Sequence, residues 1–167
     1  MLKAIIFDRD GTLIDHHPYL SDPELVSLRP SVKAALHKAK AHGLLMFMHS
    51  NQSGVSRGYH TLAQAEACTR RMIDLIGMPG VVFERVCHAI ELPGVKDGYR
   101  KPSPKFSQEI FEAYSLAPAE VCYIGDSQVD VDTARACGTL GIMIGPGRCC
   151  NVRADDILAA VNLAIDQ

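Results

Sequence analysis

The run Leu2-Lys3-Ala4-Ile5-Ile6-Phe7, apolar apart from Lys3, passes directly into Asp8-Arg9-Asp10-Gly11-Thr12. A hydrophobic segment of this length reads as a strand buried on both faces, as in a parallel sheet covered by helices. Such a strand has no room for charge until it ends. Asp8 and Asp10 therefore fall just past its C-terminal end, the edge at which open α/β sheets bind ligands.

The rest of the chain repeats that alternation. After a polar, proline-bearing loop from Leu13 to about Arg29, a helix is expected over Pro30–Ala41. Pro30 or Ser31 opens it, Gly43 closes it, and Val32, Ala35, Leu36 and Ala39 share one face. A second strand, Leu44–Met48, delivers His49-Ser50-Asn51-Gln52-Ser53-Gly54 to the same edge of the sheet. Thr61 and Gln64 form a capping box for a helix that runs to about Ile76, with Leu62, Ala65, Thr69, Met72 and Ile76 as its core stripe. A third strand is expected over Val81–Ala89, followed by a loop rich in Gly and Pro that leads to Tyr99-Arg100-Lys101-Pro102. Ser103 and Pro104 start a helix in which Phe106, Ile110 and Tyr114 recur every four residues. Val121–Ile124 is a buried strand ending in Gly125-Asp126-Ser127-Gln128-Val129-Asp130. A helix to Cys137, a strand near Leu140–Ile144 and a helix over Asp155–Ile165 complete the pattern. Strands alternating with helices of this length indicate an α/β fold with a doubly wound parallel sheet. At 167 residues and 47% hydrophobic composition, residues 1–167 suit one domain with a proper core.

Seventeen Lys plus Arg against nineteen Asp plus Glu give a net charge of −2, without the basic excess of a polyanion-binding surface, so nucleic acid is not an expected partner. The N-terminus enters the first strand directly, and no apolar run approaches the ~18 residues of a membrane helix, so a cytoplasmic protein without membrane association is expected. The six cysteines show no CxxC spacing and read as free, mostly buried thiols, Cys149-Cys150 being the one candidate redox pair.

The D-x-D-G-T pattern behind an N-terminal apolar strand resembles the first motif of the haloacid dehalogenase superfamily of phosphatases. The other motifs follow in order: Ser50 after the second strand, Lys101 before Pro102, and G-D-x-x-x-D at Gly125, Asp126 and Asp130. The resemblance implies that Asp8 is a nucleophile forming an aspartyl-phosphate and that Asp10 is the general acid/base. It implies that Ser50 holds a phosphoryl oxygen and that Lys101 offsets the charge of nucleophile and phosphate. It also implies a Mg²⁺ bound by the Asp8 carboxylate, the Asp10 backbone carbonyl and Asp126, as hard oxygen ligands allow. Asp130 reads either as a neighbour of those ligands or as a carboxylate favoured in the first turn of a helix. The superfamily inserts cap domains after the first motif or between the second and third. Here those segments hold only loops, a helix or two and a strand, so no cap domain is expected.

A longer string narrows the resemblance. Ser50 through Tyr59 is similar to the T-N-Q-S-G-x-x-R-G segment of the branch that contains heptose-bisphosphate and histidinol phosphatases, and Arg100-Lys101-Pro102 matches its R-K-P. By that resemblance His17 and Tyr19, on an H-x-Y loop, together with Asn51, Gln52, Ser53, Arg57 and Arg100, contact the substrate. Two arginines beside one phosphate site suit a second anionic group. The branch normally carries a zinc loop, C-x-H then C-x-C before R-K-P. Here Cys87 and His88 are adjacent and Gly98-Tyr99 precede Arg100, so no structural zinc is expected. Ser127 also stands where the heptose enzymes tend to carry Lys. His49 is expected to be packed and neutral, its alternative being a polar contact near the phosphate.

The expected activity is a Mg²⁺-dependent phosphomonoesterase acting on a small phosphorylated sugar, foremost a heptose 1,7-bisphosphate, as a monomer or small homo-oligomer. Histidinol phosphatase and polynucleotide 3′-phosphatase are the alternatives, and an inactive binding module on the same fold stands behind them.

Overall fold

The computed structural model describes residues 1–145 and 152–167. Its elements run β1 (Ala4–Phe7), α1 (Val32–Ala41), β2 (Leu45–Asn51), α2 (Leu62–Ile76), β3 (Arg85–Ala89), α3 (Lys105–Tyr114), β4 (Val121–Gly125), α4 (Gln128–Cys137), β5 (Leu140–Ile144), β6 (Arg153–Ala154) and α5 (Ile157–Ile165). All the strand pairs are parallel and the order across the sheet is β3-β2-β1-β4-β5-β6. The chain thus winds outward from β1 in one direction through β3, then returns to the far side of β1 for β4 to β6. The reversal places a crevice at the C-terminal ends of β1 and β4.

Alternation along β1 explains the two helical layers. Ile5 and Phe7 point to one face, packing with α1, α2 and α5 through residues such as Leu36, Met72 and Val161. Ala4 and Ile6 point to the other, toward Phe106 and Ile110 of α3 and Ala134 of α4. All four β1 residues are fully buried, as a central strand covered on both sides requires.

Several boundaries differ from the expectation. β2 does not stop at Met48 but continues through Asn51, because Ser50 and Asn51 stay in register with His88 and Ala89 of β3. β3 begins at Arg85 rather than Val81. Val82 and Phe83 are buried in the connection instead, where Phe83 packs edge-on against Phe7 with ring centroids 6.5 Å apart. The capping box of α2 is present, but Leu62 lies in the first turn and is exposed, and Cys68 takes its place in the buried stripe. Ile157 rather than Asp155 opens α5, with the Asp156 carboxylate accepting from the Ala159 amide at 2.8 Å. The two-residue β6 pairs with β5 and is too short to leave a periodic signal. Between β1 and α1 there is only a loop with a short 3-10 turn at Pro23–Leu25, so no cap is inserted there. Cys68, Cys87, Cys122 and Cys137 are free, whereas Cys149-Cys150 lies outside the described residues. No helix among the described residues is long and apolar enough to cross a membrane.

Candidate active site

Asp8 takes the first position after β1, its amide donating to the Ile124 carbonyl of β4 at 2.9 Å. Its carboxylate is buried and accepts from Lys101 Nζ at 2.6 Å through Oδ1. The same ammonium donates to Asp130 Oδ1 at 2.6 Å. Asp130 is also buried, and its Oδ2 accepts from the Ser127 amide at 3.1 Å and the Ser127 hydroxyl at 2.6 Å. Both readings of Asp130 therefore apply: it closes the first turn of α4 and it holds Lys101 against Asp8.

Asp8, Asp126 and Asp130 each offer an oxygen within 4.8 Å of the others. Burial, and then the Asp130 and Asp10 charges, push the Asp8 carboxyl up to about 8 despite the Lys101 ammonium. Burial and Asp130 also raise Asp126. Burial alone would lower Lys101, but Asp8 and Asp130 together hold it above the ordinary lysine range. The acidic groups here outnumber the cation beside them, and a divalent cation on hard oxygen ligands would relieve that. Asp130 accepts from Lys101 and twice from Ser127, and Asp8 from Lys101 and from Thr12 Oγ1 at 3.5 Å, whereas Asp126 is the most exposed of the three carboxylates. Gly11 makes the approach of Asp8 and Asp126 possible: its φ is +87° and any Cβ there would overlap the Asp126 carboxylate.

The Asp10 carboxylate faces a different set of partners. Ser50 Oγ donates to its Oδ2 at 3.1 Å, and Gln52 Nε2 donates to the same oxygen at 2.9 Å and to Ser50 Oγ at 2.8 Å. Arg9 completes the set with Nε to Oδ2 and Nη2 to Oδ1, both at 3.0 Å. Asn51 was expected to contact substrate, but its amide is engaged with the Lys101 backbone, accepting from the amide at 2.8 Å and donating to the carbonyl at 3.3 Å. It thereby fixes Lys101, at the cis Lys101–Pro102 peptide, to the end of β2.

Two adjoining cavities open on this edge. One, of about 230 Å³, is lined by Asp8, Asp10, Ser50, Lys101, Asp126 and Ser127 among others. The other, of about 320 Å³, is lined by Arg9, Asp10, His17, Tyr19, Gln52, Ser53 and His60 among others. Asp10, His16 and Asn51 line both. His17, Tyr19, Gln52 and Ser53 therefore come together around one cavity. Arg57 and Arg100 line neither cavity: Arg57 is exposed, and Arg100 is half-buried with Nη1 unpartnered. His16 and His60 were not anticipated, since a histidine in a loop carries no periodic signal. His60 packs on Gly54, is buried with both ring nitrogens unpartnered, and is held below the usual histidine range by burial and by Arg9.

His49 is packed and neutral, its Nε2 within 2.8 Å of the Tyr99 carbonyl and its ring 5.0 Å from that of Phe106. Burial, and then the Lys101 charge, push it down to about 3. Tyr99 organises the segment before Lys101. Its amide donates to Glu91 at 2.8 Å, its hydroxyl donates to Glu109 at 2.8 Å, and Lys105 lies 4.4 Å over its ring. Cys87 and His88, adjacent on β3, point to opposite faces of the sheet, Cys87 packing toward the α3 cluster and His88 meeting Thr69 of α2 at 2.9 Å.

The haloacid dehalogenase-like hydrolase family model matches residues 19–138. The chain is 32% identical over 149 residues to D-glycero-beta-D-manno-heptose-1,7-bisphosphate 7-phosphatase of Pseudomonas putida, covering 88% of this chain and 85% of that one. It is 31% identical over 147 residues to the enzyme of the same name from Rhodopseudomonas palustris, covering 83% and 81%. Among solved structures, the D,D-heptose 1,7-bisphosphate phosphatase of B. bronchiseptica complexed with magnesium and phosphate superposes with a TM-score of 0.87 over 99% of both chains. At 22% identity that likeness speaks for the fold.

Proposed function

The chain belongs to the haloacid dehalogenase-like hydrolases, and from that premise we propose that it is a Mg²⁺-dependent phosphatase that removes the 7-phosphate of D-glycero-D-manno-heptose 1,7-bisphosphate. The observation that carries the chemistry is the meeting of Asp8, Asp126 and Lys101 at the ends of β1 and β4. The relatives' names carry the substrate.

In this reading an Asp8 oxygen attacks phosphorus, the bond from phosphorus to the C7 oxygen breaks, and the departing alkoxide takes a proton from Asp10. Asp10 then takes a proton from a water that attacks the aspartyl-phosphate, releasing phosphate and restoring the Asp8 carboxylate. Lys101 offsets the charge on Asp8, and Ser50 offers its hydroxyl to a phosphoryl oxygen. The Asp8 and Asp126 carboxylates, with the Asp10 backbone carbonyl, would hold Mg²⁺. That ion supplies charge neutralisation for a dianionic substrate approaching a carboxylate. The sugar lies in the larger cavity beside His17, Tyr19 and Ser53. The loop before Lys101 is held by Tyr99, through Glu91 and Glu109.

The test is phosphate release from heptose 1,7-bisphosphate, histidinol phosphate and a 3′-phosphorylated oligonucleotide, each with Mg²⁺ and with chelator. Metal-dependent preference for the heptose is expected. Preference for either other substrate would overturn the substrate assignment, and chelator-insensitive release would overturn the metal.

A further inference from the structure

Arg9 has the largest of the fully buried side chains, and it lies inside the D-x-D motif where the sequence reading gave it no task. It stands two residues past the end of β1, in the turn whose Thr12, Leu13 and Ile14 amides donate to its carbonyl. Asp8 and Asp10 line the smaller cavity, while the Arg9 side chain is buried against α2. There Nη1 donates to the Ala65 carbonyl and to Thr69 Oγ1, both at 3.1 Å. The remaining edge of the guanidinium returns to Asp10 as a two-point fork. Thr69 is supported in turn by its bond to the Ala65 carbonyl and by His88 of β3. A planar guanidinium anchored at one edge and forked onto a carboxylate at the other sets both the position and the rotation of that carboxylate.

We propose that Arg9 is the positioning residue of Asp10, transmitting the fixed geometry of α2 and β3 to the carboxylate that faces the reacting oxygen. This rests on the reading of Asp10 as the general acid/base. Gln52 and Ser50 hold only one Asp10 oxygen, Oδ2, and leave the carboxylate free to turn about that point. Arg9 alone grips both oxygens. Without it the protein still folds a nucleophile, a lysine and a metal site, but the acid is no longer aimed at the leaving oxygen.

Leaving-group dependence separates this role from general structural damage. A sugar alkoxide cannot depart without a proton, whereas p-nitrophenolate can. Arg9→Met should lower the single-turnover rate of phosphoryl transfer from the sugar phosphate to Asp8 by roughly 100-fold, in the range of general acid–base contributions. The single-turnover release of p-nitrophenolate from p-nitrophenyl phosphate should fall by no more than about threefold, whereas hydrolysis of the aspartyl-phosphate, which also uses Asp10, slows with either substrate. Asp10→Asn, run beside it, should show the same selectivity. Thr69→Val, which removes one anchor and leaves the fork in place, should give a smaller loss with the same selectivity. It serves if Arg9→Met does not fold. Equal losses of the single-turnover rate on both substrates, or none, in the folded variants would overturn the inference while leaving the phosphatase reading intact. An unselective Asp10→Asn would overturn the acid/base reading and the inference with it.

Discussion

Lys101 Nζ lies 2.6 Å from Asp8 Oδ1 although 93 residues of chain separate the two. Lys101 is almost completely enclosed, and its position is set at three points: Asp8, Asp130, and the Asn51 side chain on its backbone. The ammonium is a fixed part of the crevice, placed before substrate arrives, so none of the binding energy is needed to bring it there.

Removing that charge should harm stability and activity together. Lys101→Met leaves two buried carboxylates without their cation, a change that costs roughly 3–5 kcal/mol when a buried pair is broken. Asp130→Asn keeps an acceptor for Lys101 and should cost less, roughly 1–2 kcal/mol. Urea denaturation of both variants should give that order, with activity undetectable in Lys101→Met. Equal stabilities would mean that the buried pairs carry little of the fold.

Gly11 should tolerate no side chain. Gly11→Ala meets a positive φ that costs of order 1 kcal/mol or more and drives a methyl into the Asp126 carboxylate. Mg²⁺ affinity measured by calorimetry should fall at least about tenfold, on the scale seen when the support of a metal ligand is lost. Unchanged affinity would remove Asp126 from the metal site.

His49 should make the protein acid-sensitive. Its folded value, about 3, lies below the ordinary 6.5, so below pH 6.5 the unfolded chain binds a proton that the folded chain refuses. The stability this neutral histidine contributes is full above 6.5 and is lost as pH falls toward 3. The slope approaches about 1.4 kcal/mol per pH unit. His88, pushed down to about 4 by burial and by Arg9, acts in the same direction. His49→Gln should flatten the stability profile between pH 6 and 5 by about that one-proton slope. Parallel profiles would show that His49 titrates normally.

The sequence made Asp8, Asp10, Lys101 and Asp126 legible because each follows a recognisable strand or motif, and strand ends on one edge of a parallel sheet must converge. It did not make their supports legible. Asn51 is part of a string associated with substrate, yet β2 extends far enough to turn its amide onto Lys101. Thr69 fits the apolar stripe of α2 by spacing, and only the arrival of Arg9 from the loop after β1 and of His88 from β3 makes it a polar hub. Arg57 and Arg100 suit a second anion by charge, but neither lines the cavities, because loop conformation rather than composition decides where a long side chain ends. Leu62 obeys the helical period and still lies in the open, since the first turn of α2 is exposed.

The most direct test of the central claim is rapid acid quenching of the enzyme with Mg²⁺ and heptose 1,7-bisphosphate radiolabelled in its 7-phosphate. The expected result is transient, alkali-labile label on the peptide containing Asp8, absent from Asp8→Asn, together with release of labelled phosphate by the wild-type protein alone. Phosphate release by Asp8→Asn at the wild-type rate, or turnover by the wild-type enzyme with label never passing through Asp8, would contradict it.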